Sequence, residues 1–256
     1  MVSSNHMLLK WLNIIAFVST VIVNSLAGST TLIGGVNTAQ ISDAYPTLIT
    51  PAGYVFAIWG IIYVLLGGFV VFQALASQKG NEFQKRIGML FVLSSVFNII
   101  WLFLWQFEYL SLSIVLMFLL LATLISIYLR LNIGKSNVPM REKLAVHLPF
   151  SVYLGWITIA TIANVSVTLV SVNWNGFGIS PVTWAALVIV VALLITSLVV
   201  ITRRDVAYAL VILWALIGIA VKQNRNQPIV SIIEIVAAIV AIELAATVII
   251  RKLWQK

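Results

Sequence analysis

Two carboxamides and a set of indoles and phenols inside otherwise apolar stretches are the residues best placed to do chemistry in this chain. Asn98 and Asn164 stand in segments hydrophobic enough to cross a membrane, where an amide without a partner is strongly disfavoured. Each should therefore point inward, to the other, to a backbone carbonyl or to a ligand. At about 100° per residue, Tyr153, Trp156, Ala160 and Asn164 fall on one helical stripe. Phe56, Trp59 and Tyr63 recur at i, i+3 and i+7, and Asn98, Trp101 and Trp105 also share a face. Three stripes rich in flat rings, with few donors, suit stacking on a planar hydrophobic ligand held by a small number of hydrogen bonds. The same residue types also pack membrane helices against one another.

Glu234 and Glu243 lie in the last apolar stretch, nine residues apart and on opposite helix faces, so they form no dyad. Glu234 is near one end and can reach the interface. Glu243 lies deeper and is the candidate proton or cation site. Its alternative is a protonated carboxyl hydrogen-bonded to Tyr208, Thr196 or a backbone carbonyl. No Ser/His/Asp set, carboxylate pair or metal-ligand cluster is visible. With no cysteine and two histidines, disulfides, thiolate sites and a His-built metal centre are excluded. The expectation is a protein that binds rather than catalyses, with no cofactor.

The elements that must position these residues follow from composition. Hydrophobic residues make up 62% of 256, charged residues 9%, and mean hydropathy is +1.10, outside the range of a soluble domain. An all-α polytopic membrane bundle follows, with eight spans predicted at 8–28, 51–77, 87–107, 109–130, 144–171, 182–202, 205–221 and 229–250. Lys10, Lys79, Lys85, Arg86, Arg130, Lys135, Arg141, Lys143, Arg203, Arg204, Arg251, Lys252 and Lys256 all fall on one side of that arrangement. The positive-inside rule makes that side cytoplasmic, with both termini inside a cell membrane. Only Lys222 and Arg225 break the pattern. The net charge of +8 is thus accounted for by topology and anionic headgroups, and nucleic acid is not an expected partner. Ser25-Leu26-Ala27 has the form of a signal-peptidase site, but retention of the first span is expected because the loop after it needs a preceding helix.

The longest outer connection, 29–50, carries Gly34, Gly35 and Asp43-Ala44-Tyr45-Pro46, a turn-rich composition suited to a lid over the bundle mouth. Pro51 and Pro181 are expected to open spans. Pro149 should kink or widen the fifth, with Ser151 and His147 available to compensate. Asp205 is expected to cap the seventh span after a tight turn at 203–204. Trp11, Trp174, Trp184 and Trp254, near span ends, read as interfacial anchors.

These motifs resemble the tryptophan-rich sensory protein and translocator protein family, also called TspO/MBR. Pro51-Ala-Gly53-Tyr54-Val55-Phe56 followed by Trp59 and Tyr63 is similar to the family's Pro-Pro-x-Trp-Val-Phe-(x)3-Trp-(x)3-Tyr run, with one proline absent and the Phe-to-Trp spacing one residue shorter. Asn98-x-x-Trp101 resembles its third-helix motif, with Trp105 where phenylalanine is usual. Tyr153-Leu-x-Trp156-(x)3-Ala160-Thr161-(x)2-Asn164 resembles its fifth-helix motif closely. The resemblance covers about residues 8–171; residues 172–256 have no counterpart in a five-helix pattern. It implies a TspO-like unit at 1–172 with a three-helix extension at 173–256. It further implies a cavity that binds tetrapyrroles, or in some members sterols, lined by Phe56, Trp59, Tyr63, Asn98, Trp101, Trp105, Tyr153, Trp156, Ala160 and Asn164. Binding would serve transport or sensing. The alternative is a proton-coupled permease, or a permease subunit, using the last three helices and Glu243. Family members are often homodimers, although the added helices would cover part of such a surface.

Overall fold

A computed structural model describes residues 2–78 and 81–253. Lys79, Trp254 and Lys256, assigned above to charged loops or an anchor, lie outside the described residues, as do the side chains of Arg251 and Lys252. The described chain is helical and contains no strand.

Eight apolar helical segments appear where eight spans were predicted. Among the described residues six are long enough to cross a bilayer on length and hydropathy: Met7–Ser29, Gly53–Ala74, Leu110–Arg130, Met140–Ser171, Pro181–Arg203 and Gln227–Thr247. Leu90–Gln106 and Val206–Lys222 are 17 residues each, about 26 Å of helix, and complete the set. The helices are α1 (Val2–Ser29), α2 (Thr38–Ala44), α3 (Ile58–Ala74), α4 (Glu82–Ile87), α5 (Leu90–Gln106), α6 (Leu110–Arg130), α7 (Met140–Glu142), α8 (Leu148–Ser171), α9 (Pro181–Arg203), α10 (Val206–Lys222) and α11 (Gln227–Leu253).

The central helix is α8, which packs against α3, α6 and α10. Its residues from Pro149 to Ile159 are all buried, as expected of a helix hydrophobic on every side. Its approach to α10 depends on Gly155, where a Cβ would come within 3.1 Å of the Tyr208 carbonyl and of the Val211 side chain. The remaining neighbours are α1 on α3 and α5, α5 on α6, and α9 and α10 on α11. The turn between α8 and α9 holds the 172/173 boundary. One continuous buried core nevertheless runs across it, joining Ile157 and Val167 to Ala185, Tyr208, Ile212 and Ile233.

Two local expectations, a helix start at Pro51 and side-chain compensation at Pro149, are answered differently, while the widening at Pro149 and the cap at Asp205 are found as expected. Pro51 does not begin an α-helix: residues Gly53–Ala57 form a 3-10 turn and α3 starts at Ile58. Pro149 is accommodated by a π-helical turn at Lys143–His147, in which the Leu148 amide donates to the Lys143 carbonyl. That widening removes the need for side-chain compensation, and Ser151 instead donates to Asp205 at 2.5 Å. Asp205 caps α10 as predicted, accepting from the Tyr208 amide at 3.2 Å, and its other oxygen also accepts from the Tyr128 hydroxyl at 2.8 Å. One buried carboxylate thus ties α6, α8 and α10 together at the end opposite the long loop.

Candidate ligand cavity

The three aromatic stripes converge on Trp59. Its ring stacks on Tyr63 with centroids 5.6 Å apart and meets Trp101 at 6.5 Å, Tyr153 at 6.0 Å and Trp156 at 6.2 Å. Phe56, brought beside it by the 3-10 turn, meets Trp156 edge-on at 5.8 Å. Trp101 and Trp105 follow one another along α5 at 6.0 Å.

Between these rings lies a small cavity of about 30 Å³, room for about one water. Seven of the ten expected residues line it: Phe56, Trp59, Trp101, Trp105, Trp156, Ala160 and Asn164. Tyr63 and Tyr153 stand behind Trp59, supporting its ring. Asn98 accepts from the Asn24 side chain of α1 at 2.7 Å and lies within reach of the Tyr153 hydroxyl. The two asparagines therefore do not meet.

Asn164 is saturated by protein. Its oxygen accepts from the Trp101 indole at 2.7 Å, and its NH2 donates to Ser113 of α6 at 2.9 Å. Trp156 is the opposite case: its indole N–H is buried with no partner among the described residues, and the residue lines the cavity. An unpaired buried donor is disfavoured by about 1–3 kcal/mol, so it marks where a ligand acceptor or a water belongs.

The loop over the cavity was legible only as a lid candidate. Thr38, Ser42 and Pro51 line the cavity from it, and α8 adds Ile159 and Ala163, none of which the stripes identified. The helix carrying Thr38 and Ser42 starts at a capping box: Asn37 accepts from the Gln40 amide at 3.0 Å and Gln40 returns the bond at 2.8 Å. The Asn-x-x-Gln spacing carries that signal in the sequence.

Side chains from two directions hold the loop down. From α5, Gln106 donates to the Ile33 and Val36 carbonyls at 2.9 and 2.6 Å, and Trp105 donates to the Thr38 carbonyl at 3.2 Å. Gly34, at φ +75°, is required there because a Cβ would lie 2.4 Å from the Gln106 carbonyl. Tyr45 donates to Glu108 at 2.5 Å, and this bond to a carboxylate raises the phenol pKa. From α10, Lys222 pairs with Asp43 at 2.5 Å and Gln223 donates to the Thr47 carbonyl at 3.1 Å. Lys222, one of two exceptions to the charge asymmetry, is thus engaged by an acid of the loop.

The floor under Phe56 also belongs to α10. Ala52 donates to the Gly218 carbonyl at 3.1 Å, and Trp214 donates to the Val55 carbonyl at 3.3 Å. A Cβ on Gly218 would lie 2.1 Å from Val55. Glu243 is remote from this arrangement and lines neither this cavity nor its lid. One of its oxygens is buried and has no partner among the described residues. The alternative partners named above are engaged elsewhere, Tyr208 with Thr158 and Thr196 with the Ala192 carbonyl. Glu234 is exposed.

A multi-span helical bundle with a small aromatic cavity under a pinned loop defines the class: a polytopic α-helical membrane protein with a closed, ring-lined interior site. The sequence profile described as TSPO-like protein matches residues 10–250, and the chain belongs to that family. The match continues through α9, α10 and most of α11, beyond the stretch where motifs had carried the resemblance. No curated protein and no solved structure gave a significant match to the chain.

Proposed function

We propose that this protein is a membrane receptor or carrier, not an enzyme, for a planar hydrophobic ligand of the tetrapyrrole type, held between the rings of Trp59, Trp101 and Trp156. The supporting observation is the unpaired Trp156 indole N–H in a cavity walled by aromatic rings. A macrocycle needs a site of several hundred Å³, so the 30 Å³ space is the closed state. Admission requires the 33–51 segment to lift and the rings to separate, and the Asp43–Lys222 pair and the Gln106 bonds are the contacts that must yield. The charge asymmetry supports both termini in the cytoplasm, which puts the loop and its cavity at the external end.

Titration with protoporphyrin IX, followed by Trp quenching, tests the reading. Saturable quenching, weakened in folded Trp156→Phe, is expected. No saturable quenching by the folded wild type overturns it.

A second reading, a proton-coupled permease, is favoured by the unpartnered Glu243 carboxyl oxygen. It predicts substrate uptake that depends on a proton gradient and is lost in Glu243→Gln. The receptor reading predicts that Glu243→Gln leaves protoporphyrin binding intact.

A further inference from the structure

A second cavity of about 550 Å³ opens at the same end of the bundle as the loop, sharing no residue with the aromatic cavity. It is bounded by residues 46–49 of the loop, the last turns of α8, the α8–α9 turn, the start of α9, and Gln223. Its size falls within the ordinary range for small-molecule sites, whereas the aromatic cavity in its closed state does not.

One wall is rigid. Trp184 is locked by donating its indole N–H to the Gly176 carbonyl at 2.8 Å, and Trp174 packs on it with centroids 5.2 Å apart. Gly176 has φ +64° and would bring a Cβ within 3.1 Å of the Trp184 nitrogen, so any other residue there would strain the turn and press on the indole. Asn175 fixes the same turn by accepting from the Phe177 amide at 3.0 Å. Rings held in place before a ligand arrives lose little freedom on binding it. The two residues read from sequence as interfacial anchors are therefore also the walls of a cavity.

The lining also restricts the ligand's chemistry. It contains no Asp, Glu, Lys, Arg or His, and a charge moved there from water would have no counter-charge. Apolar area comes from Leu48, Leu169, Val170 and Val188. Hydrogen-bonding capacity remains in several places, among them the Asn175 NH2 group and the acceptor side of the Ser166 hydroxyl. The Trp174 indole N–H has no partner among the described residues, and the Gln223 carbonyl oxygen remains after its NH2 has donated to Thr47. Val170 and Ile179 are about two-fifths exposed at the rim, at 39% and 41%, which leaves a side opening.

We infer that this cavity is a binding site for an uncharged amphiphile with a flat apolar body and one hydroxyl or carbonyl group, entering between α8 and α9. The body stacks on Trp174 and Trp184 and the polar group meets the Trp174 N–H or the Gln223 oxygen. The site would exist whether or not the aromatic cavity takes a tetrapyrrole.

The probe is 1-pyrenemethanol, a flat uncharged alcohol whose absorption accepts energy from Trp. It is titrated into the full chain in phosphatidylcholine nanodiscs, beside the anionic 1-pyrenebutyrate. Val188→Phe and Ser166→Phe each project a ring into the cavity, and either suffices if the other fails to fold. The expected result is saturable energy transfer above the lipid-partition background in wild type and Trp156→Phe. That component should be lost in the filled variants, which keep the wild-type response to protoporphyrin IX. The anion should bind about tenfold more weakly or worse. Saturable transfer that survives in a folded filled variant, or is lost in Trp156→Phe, overturns the assignment. Equal binding of the anion overturns the uncharged-ligand claim. Transfer no greater than partition into lipid means that only phospholipid occupies the space, and overturns the site.

Discussion

Trp101 and Trp156 offer a paired test, because replacing either by phenylalanine removes the same atoms from the same cavity while the fates of their N–H groups differ. Both are buried, at 4% and 2% exposure, so the lost apolar area and the space left behind largely cancel in the comparison. At 101 the change breaks the 2.7 Å bond to Asn164 and leaves part of that amide's acceptor capacity unused. In a membrane protein one such bond contributes about 0.6 kcal/mol and up to about 1.7. At 156 the change removes a buried donor that has no partner, relieving about 1–3 kcal/mol. A single water in the 30 Å³ space would bring the relief to the lower figure. Trp101→Phe should therefore be less stable than Trp156→Phe by about 1.6–4.7 kcal/mol, measured by reversible SDS unfolding in mixed micelles. Ligand binding should show a different order, since Trp156→Phe loses the free donor and should weaken protoporphyrin IX by about two- to tenfold. Equal destabilisation by the two changes would refute the assignment of the Trp101 bond and the Trp156 vacancy.

Gly218→Ala drives a methyl into Val55 and should cost about 1–3 kcal/mol while weakening protoporphyrin binding, seen in the same unfolding and quenching assays, because it displaces the segment carrying Phe56. Asp205→Ala leaves the Tyr128 and Ser151 hydroxyls without their acceptor and should destabilise by about 3 kcal/mol or more, with Asp205→Asn milder because it retains an oxygen. Lys222→Met or Asp43→Asn should change stability by only about 0–1 kcal/mol, as usual for an exposed pair, yet speed both arrival and departure of protoporphyrin in stopped-flow quenching.

The eight spans and the cavity wall were readable from sequence for one reason: both depend on properties that repeat along the chain. Apolar runs mark spans by length, and rings at helical spacing mark a face whatever that face meets. Partner identity does not repeat. Asn98 and Asn164 look alike in sequence, yet one is answered by Asn24 of α1 and the other by Trp101 and Ser113, because helix neighbours rather than spacing decide which group is within reach. The pairing of Trp174 with Trp184 depends on a turn in which Phe177 has φ +54°, a conformation that no local pattern announced. The Asn37–Gln40 box, by contrast, has a spacing that a sequence reading could have used, although none was made from it.

The place of the last three helices follows from what α10 touches. It packs on the face of α8 away from the cavity, with Gly155 permitting contact with Tyr208. It holds Ala52 and Val55 through Gly218 and Trp214, and it reaches the loop through Lys222 and Gln223. One helix therefore supports three sides of the aromatic cavity: the α8 wall, the Phe56 floor and the lid. A five-helix bundle lacking it would expose Tyr208's partner Thr158 and free the Pro51–Val55 segment. Removing α9–α11 should consequently abolish the ring arrangement rather than trim an appendage. A shortened chain ending near residue 172 that still bound protoporphyrin IX like the full protein would show that the added helices are dispensable to the site.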